Sequence, residues 1–214
     1  MKKIGILGSG VVAQALGNGF LKHNYEVMLS SRNQAKLAEW KEKGGEKAHV
    51  GSFYDAGKFG DIVVIALKGK IAVEAVEDAG PQNLMRKTVI DTTNPIMDAP
   101  PENGVFRFFT NFDESLMERL QTQFPEVHFV KAFSCIGNAY MVEPDFKEKP
   151  TMFICGNNDN AKKEVHEILL KFGWDIADMG KATAARAIEP LSMLWCIPGM
   201  LSGEWRHALR LIKE

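Results

Sequence analysis

Lys3 to Leu7 is a short apolar run that stops at Gly8-Ser9-Gly10, and from Val11 onward apolar residues return at helical spacing as Val12, Leu16 and Phe20. A strand, a glycine turn and a helix in that order leave few folds open. Residues Gly8-Ser9-Gly10-Val11-Val12-Ala13 spell G-x-G-x-x-A. In that context Gly8 permits the tight turn, Gly10 lets a ligand approach the backbone, and Ala13 keeps the helix close to the strand. The helix N-terminus offers free N–H groups and a positive dipole end to phosphates. The plainer reading is a glycine-rich β-α turn that holds nothing.

The same letters imitate a secretory leader, because Met1-Lys2-Lys3 precedes an apolar run ending in Ala13-Gln14-Ala15. Gly5, Gly8 and Gly10 weaken a hydrophobic helix there, so the expectation is a cytoplasmic protein. No other apolar run reaches the roughly 18 residues of a membrane span.

Downstream the pattern alternates. Tyr25–Ser30 reads as a second strand, Gln34–Glu42 as a helix ended by Gly44-Gly45, and Ala48–Val50 as a third strand. Asp61–Leu67 is the nearly pure apolar run of a strand buried on both faces. Ile71–Ala79 reads as a helix, Thr88–Asp91 as a strand, Glu114–Phe124 as a helix and Val127–Ala132 as a strand. Such repetition argues an α/β fold, a Rossmann-type doubly wound parallel sheet. Between Thr92 and Asp113, Pro95, Pro100, Pro101 and Gly104 argue a long irregular loop, and long ordered loops are often functional. After residue 145, Thr151–Cys155, Asn160–Phe172, Trp174–Ala177 and helical stretches from Ala182 to the end read as a small C-terminal β-α-β-α extension, with an interruption near Pro198-Gly199. The expected organisation is a nucleotide-binding Rossmann unit over 1–145 and, over 146–214, an extension that contributes to the substrate cleft and to dimer contacts.

An NAD-binding chain places a carboxylate at the end of the second strand, where it bonds the ribose 2′-hydroxyl. Here that position reads Ser30-Ser31-Arg32. A carboxylate would repel a 2′-phosphate, whereas Arg32 binds one through charge-assisted hydrogen bonds, Ser31 can donate one more, and Lys36 adds charge on the same side. NADP is therefore the expected cofactor. The bland alternative makes Ser31 or Asn33 a helix cap and Arg32 and Lys36 solvated surface charges.

Composition excludes other classes. A formal net charge of −1 gives no basic field for nucleic acid or an anionic membrane surface. Cys135, Cys155 and Cys196 form no C-x-x-C pair and the histidines are scattered, so neither disulfides nor a metal is signalled. No catalytic acid or base stands out. That leans toward hydride transfer between two cofactors, which needs the rings in reach more than it needs a proton donor.

Taken together, GILGSGVVAQALGNGF, SSRN, DTTNP, VKAFSCIGN and AARAIEPLSMLW resemble the F420-dependent NADP oxidoreductase family over nearly the whole chain. The resemblance implies a homodimer and a small-molecule redox substrate, coenzyme F420 or a flavin, stacked on the nicotinamide under the C-terminal part. It also implies that Ser9, Ser31, Arg32 and Lys36 hold the phosphates, that Ala66, Leu67, Asn94 and Pro95 lie on loops facing the nicotinamide, and that Ala132 to Ile136 lies beside the reactive ring. Ser134-Cys135 stands where some members carry a His or Asn-Thr element, which leaves the second substrate open. Bland readings exist here too: Asp91 to Asn94 as turn formers, Glu189-Pro190 as a helix kink, and Met193, Trp195 and Met200 as core packing. The competing functions are reduction of a small carbonyl or imine compound, and an NADPH-binding sensor without turnover.

Overall fold

The computed structural model describes residues 2–212. In chain order the elements are β1 (Lys3–Leu7), α1 (Val11–Lys22), β2 (Glu26–Ser30), α2 (Ala38–Gly44), β3 (Ala48–Gly51), α3 (Phe53–Phe59), β4 (Ile62–Ile65), α4 (Ala72–Asp78), α5 (Pro81–Leu84) and β5 (Thr88–Asp91). They continue with α6 (Leu116–Gln123), β6 (His128–Lys131), β7 (Thr151–Gly156), α7 (Asp159–Lys171), β8 (Asp175–Asp178), α8 (Ala185–Ile188) and α9 (Leu191–Ser202). All eight strands form one sheet in the order β3-β2-β1-β4-β5-β6-β7-β8. Every neighbouring pair is parallel except β6 with β7. The α/β doubly wound architecture expected from the alternation is present.

Side chains alternate across the central strands and feed two cores. Ile4, Ile6, Ile62 and Val64 face one layer with Leu16 and Phe20 of α1, Trp40 of α2 and Val165 of α7. Val63 and Ile65 face the other, against Ala56 of α3, Val76 of α4 and Leu120 of α6. Each fully buried aliphatic side chain contributes about 1.5–3 kcal/mol. The C-terminal strands β7 and β8 extend this same sheet.

Besides the short helix α5, which the sequence reading lacks, the structure differs from that reading in three places. A helix absent from that reading, α3, crosses between β3 and β4 and starts at a capping box in which Ser52 accepts from Asp55 N while Asp55 accepts from Ser52 N. The 92–113 segment is not irregular throughout. It folds back as a flap, with bridges Ile96 to Phe108 and Glu102 to Val105. Its tip is Asn103-Gly104, at φ 52° and 80°, the two left-handed residues of a tight hairpin turn.

The third difference is the C-terminus. Helix α9 runs through Pro198 without a break. The carbonyl that Pro198 deprives of a partner belongs to Leu194, which is 57% exposed, so water can take the bond. The helix stops instead at Gly203, φ 76°. Residues 204–212 are not helical but return as an extended strap. Trp205 fills the space left by Gly199, where a Cβ would lie 2.3 Å from the indole. Trp195 Nε1 donates to His207 O at 2.9 Å, and Thr151 N to Leu209 O at 2.9 Å.

Helix α3 packs against β1 so closely that a Cβ on Gly5 would stand 2.0 Å from Ala56 O. Gly5→Ala is therefore expected to lower the stability by about 1–3 kcal/mol, the usual cost of overpacking. A reduced urea midpoint with an unchanged slope would report it; an unchanged midpoint would mean that α3 gives way freely.

Candidate functional site

Strand order reverses between β1 and β4, so the turns after them diverge and leave a crevice at the carboxyl ends of the strands. Most of the residues singled out from the sequence lie along that edge: Gly8 to Ala13 after β1, Ser31 and Arg32 after β2, Ala66 and Leu67 after β4, Asn94 and Pro95 after β5, Ala132 after β6. Lys36 follows Arg32 on the same connection and lines a groove of about 620 Å³ with Gln14 and Asn18 of α1 and Trp40 and Lys43 of α2.

Gly8 and Gly10 are glycine for different reasons. Gly8 has φ 144°, and a Cβ there would stand 2.1 Å from Ala66 O, so the protein itself demands glycine. At Gly10 a Cβ would meet nothing within 4 Å, and φ is −77°. No protein contact explains that glycine; the open space beside it is what a pyrophosphate approaching the backbone requires. Helix α1 has Gly10 as its N-cap, no side-chain cap and no acidic residue in its first turn, which leaves its N–H groups available to an anion. Val11 stands 68% exposed beside them.

The end of β2 is tied to this turn by a residue the sequence reading passed over. Ser30, fully buried, donates to Ile6 O at 2.8 Å and accepts from Gly8 N at 3.4 Å. Its signal was a small polar residue closing an apolar strand. Ser31 is 9% exposed and its hydroxyl accepts from Asn33 N at 3.1 Å, so it also builds the turn. The Arg32 side chain is 75% exposed, with Glu74 Oε1 of α4 at 4.0 Å, a loose pair that leaves the guanidinium free to take a better anion.

Between the β4 and β5 ends and the flap lies a cleft of about 730 Å³, bringing Leu67 and Asn94 together with Lys68, Met97, Asp98 and Phe106. Asp98 pairs with Lys68 at 2.8 Å and with Lys70, fastening the flap to the loop after β4. Hydrogen bonds from the two ammonium groups hold the Asp98 carboxyl down at about 2. Burial pushes the neighbouring Cys135 thiol up to about 12, so it does not ionise near neutral pH.

Beneath the cleft is a charge cluster that sequence reasoning missed. Lys131 closes β6 and is wholly buried; its ammonium donates to Thr93 O at 2.8 Å and forms ion pairs with Asp91 Oδ2 at 2.7 Å and Glu189 Oε1 at 2.9 Å. Glu189 also accepts from Met117 N and Leu116 N, both at 3.0 Å, at the start of α6. Asp91 Oδ1 accepts from Thr93 N and Oγ1, so the turn-former reading of Asp91 to Asn94 is part of the truth. A lysine inside the apolar strand HFVK was the available signal. Burial alone lowers the Lys131 pKa, but the Asp91 and Glu189 carboxylates outweigh it and hold it above the usual 10.5. The sign follows: its stabilising contribution is complete below pH 10.5 and is lost only as pH rises through the higher folded value.

Two buried polar atoms on the turns after β5 and β6 lack partners. Asn94 Nδ2 donates to Ser134 O at 3.0 Å, while Asn94 Oδ1 and Ser134 Oγ are buried and unbonded. Each such atom costs about 1–3 kcal/mol in the free protein. The same turn holds Phe133 at φ 62°, a left-handed conformation unusual for an aromatic residue. Open space at Gly10 and unfilled hydrogen bonds at Asn94 and Ser134 fit a dinucleotide lying along this edge. Among the described residues no cluster of His, Cys, Asp or Glu could hold a metal ion, and no helix is long and apolar enough to cross a membrane.

Residues 3–95 match the family model described as NADP oxidoreductase, coenzyme F420-dependent. The F420-dependent NADP reductase of Methanocaldococcus jannaschii is 27% identical over 203 residues, covering 90% of each chain. Over these lengths the chain is similar to the F420-dependent NADP oxidoreductases. Its fold matches the crystal structure of a protein from Arthrobacter sp. FB24 assigned as an F420-dependent NADP reductase, with a TM-score of 0.92, 27% identity and both chains covered in full. The metalloreductase STEAP3 of Rattus norvegicus is also 27% identical over 205 residues, but the chain spans only 39% of its length. The family resemblance read from the sequence is borne out.

Removing Lys131 leaves two carboxylates facing each other in a dry site. Lys131→Met is expected to lower the stability by about 3–5 kcal/mol, the range for breaking a buried pair. Neutralising all the partners together, as Asp91→Asn/Lys131→Met/Glu189→Gln, is expected to recover much of that loss. Urea unfolding of the two variants checks both; equal losses would show that packing, not charge, is what Lys131 contributes.

Proposed function

We propose that the protein is an NADPH-dependent oxidoreductase that passes a hydride between NADPH and a deazaflavin such as coenzyme F420, or a flavin. The observation that carries this reading is the glycine turn at the switch point, open at Gly10 and followed on the next strand by Ser31-Arg32 in place of a carboxylate. The N–H groups of α1 receive the pyrophosphate, Arg32 and Ser31 take the 2′-phosphate, and the loops carrying Leu67, Asn94 and Ala132 receive the nicotinamide half. NADPH, when bound, supplies the hydride.

The protein's own part is binding, orientation and exclusion of water. Lys68 and Asp98, the titratable side chains lining the cleft, are committed to each other. Asp98 stays ionised down to about pH 2 and holds no proton to donate at neutral pH. This supports an acceptor that asks for alignment rather than a proton relay, as between two redox rings. The family relationship supports the same acceptor class. A homodimer accords with the exposed apolar side chains Phe112, Leu194 and Leu201 on the flap and α9, at 85%, 57% and 65%.

Arg32→Ala is expected to raise the NADPH dissociation constant at least about tenfold, or about 1.4 kcal/mol, and to leave NADH nearly unaffected; equal losses for both nucleotides would remove Arg32 from the 2′-phosphate site. For the acceptor, NADPH oxidation is followed with coenzyme F420, FMN and FAD in turn, with NADH controls. Turnover with F420 or with flavins identifies the acceptor. Turnover only with small carbonyl or imine compounds, or none at all despite tight NADPH binding, overturns the proposal.

A further inference from the structure

Lys68 and Lys70 stand on the loop after β4, either side of Gly69, and both pair with one carboxylate, Asp98 of the flap. Gly69 fixes that loop, since a Cβ there would lie 2.2 Å from Asn94 O and 2.8 Å from Leu116 Cδ2. The cleft beside it is largely apolar, with Leu67, Ile96, Met97 and Phe106 in its wall. Among the described residues Asp98 is the only carboxylate in that wall. Glu74, four residues beyond Lys70, is turned to Arg32 instead. Two ammonium groups against one carboxylate leave a positive charge unmatched at the cleft, in a chain whose formal charge is −1. The side chains of Lys68, Lys70 and Asp98 are 71%, 50% and 46% exposed, so an arriving anion can compete for the ammonium groups.

A single carboxylate shared by two cations is an arrangement that a phosphate improves, because it brings more charge and more acceptor oxygens. We propose that Lys68 and Lys70 form an anion subsite for the redox acceptor, taking a phosphate or carboxylate on its side chain while its ring lies in the apolar part of the cleft. Asp98 holds that place in the free protein and gives it up, with its part of the flap, when the anion arrives. This rests on the hydride-transfer reading and adds a substrate class to it: ring acceptors with an anionic side chain are preferred to those with a neutral one. Because Asp98 stays ionised down to about pH 2, salt rather than pH governs the exchange across the neutral range. The pyrophosphate of NADPH offers the same chemistry, and although the N–H groups of α1 provide for it, the measurements below separate the two sources.

The experiment compares acceptors that share a ring and differ in charge, at saturating NADPH: FMN with riboflavin, and coenzyme F420 with its deazaflavin core stripped of phosphate and carboxylates. In the unaltered protein the charged member of the pair that turns over is expected to have a KM at least about fivefold lower, an advantage that shrinks in high salt. Lys70→Met is expected to bring the two KM values within about twofold of each other. Asp98→Asn, which removes the competing carboxylate, is expected to lower the KM of the charged acceptor by at least about twofold. Equal KM values in the unaltered protein, a ratio that Lys70→Met leaves unchanged, or a charged-acceptor KM raised by Asp98→Asn would each overturn the subsite and leave the hydride-transfer reading intact. NADPH affinity, followed by nicotinamide fluorescence, separates the sources: a loss in Lys70→Met as large as that of the charged acceptor gives the lysines to the pyrophosphate and overturns the proposal. No turnover with any of the four acceptors overturns the hydride-transfer reading and the subsite with it.

Discussion

The buried ammonium of Lys131 is the contact on which the two halves of the chain agree. Its partners come from the end of β5, from the turn after it, and from Glu189 near the chain's C-terminal end. Glu189 in turn caps the start of α6 with two backbone N–H bonds. The same end of α6 is held by the Arg186 pair with Glu118 at 2.7 Å. The cluster carries one more negative than positive charge, and the α6 N-terminus supplies the compensating field. A dry site of this kind is not a cheap way to gain stability, because desolvation offsets most of the attraction. Its use is geometric: it sets the β5 and β6 turns at one height and seats the C-terminal helices over them.

The sheet supplies the rest of the platform. Parallel strands buried on both faces fix their carboxyl ends within one edge, and the reversal at β1 and β4 opens that edge where the glycine turn sits. Ser30 and Thr92 lock neighbouring ends together, Thr92 Oγ1 donating to Ile65 O at 2.8 Å. Loops that must hold a ligand are therefore short and pinned, while the one long excursion, the flap, is tied back through Asp98.

What the sequence made legible follows this division. The glycine turn, the strands and the Ser31-Arg32 pair are local patterns: three or four residues carry each signal, and the sheet only had to place them side by side. The Lys131, Asp91 and Glu189 cluster joins residues far apart in the chain, so no spacing announces it; a lone lysine in an apolar strand hints at a partner without naming it. Helix α3 was readable from Ser52 and Asp55, and the flap from Asn103-Gly104, both short-range signals obscured by neighbouring prolines or an abrupt return to strand. Pro198 misled for a physical reason. Proline breaks helices where the freed carbonyl is buried, and exposure cannot be read from the residue itself.

The two ends of the candidate site are prepared differently. Around Gly10 and Arg32 the groups are exposed, so on the proposed function an arriving phosphate would exchange water for protein and the gain would depend on charge and salt. Around Asn94 and Ser134 the polar atoms are dry and unmatched, so the free protein carries a cost there. On the proposed function, hydride transfer tolerates little error in ring placement, so the loops that receive the nicotinamide half belong on rigid supports. The ends of β5 and β6, with an ion-paired ammonium beneath them, are such supports, which gives the buried charge cluster a use in placing the turns rather than in adding stability.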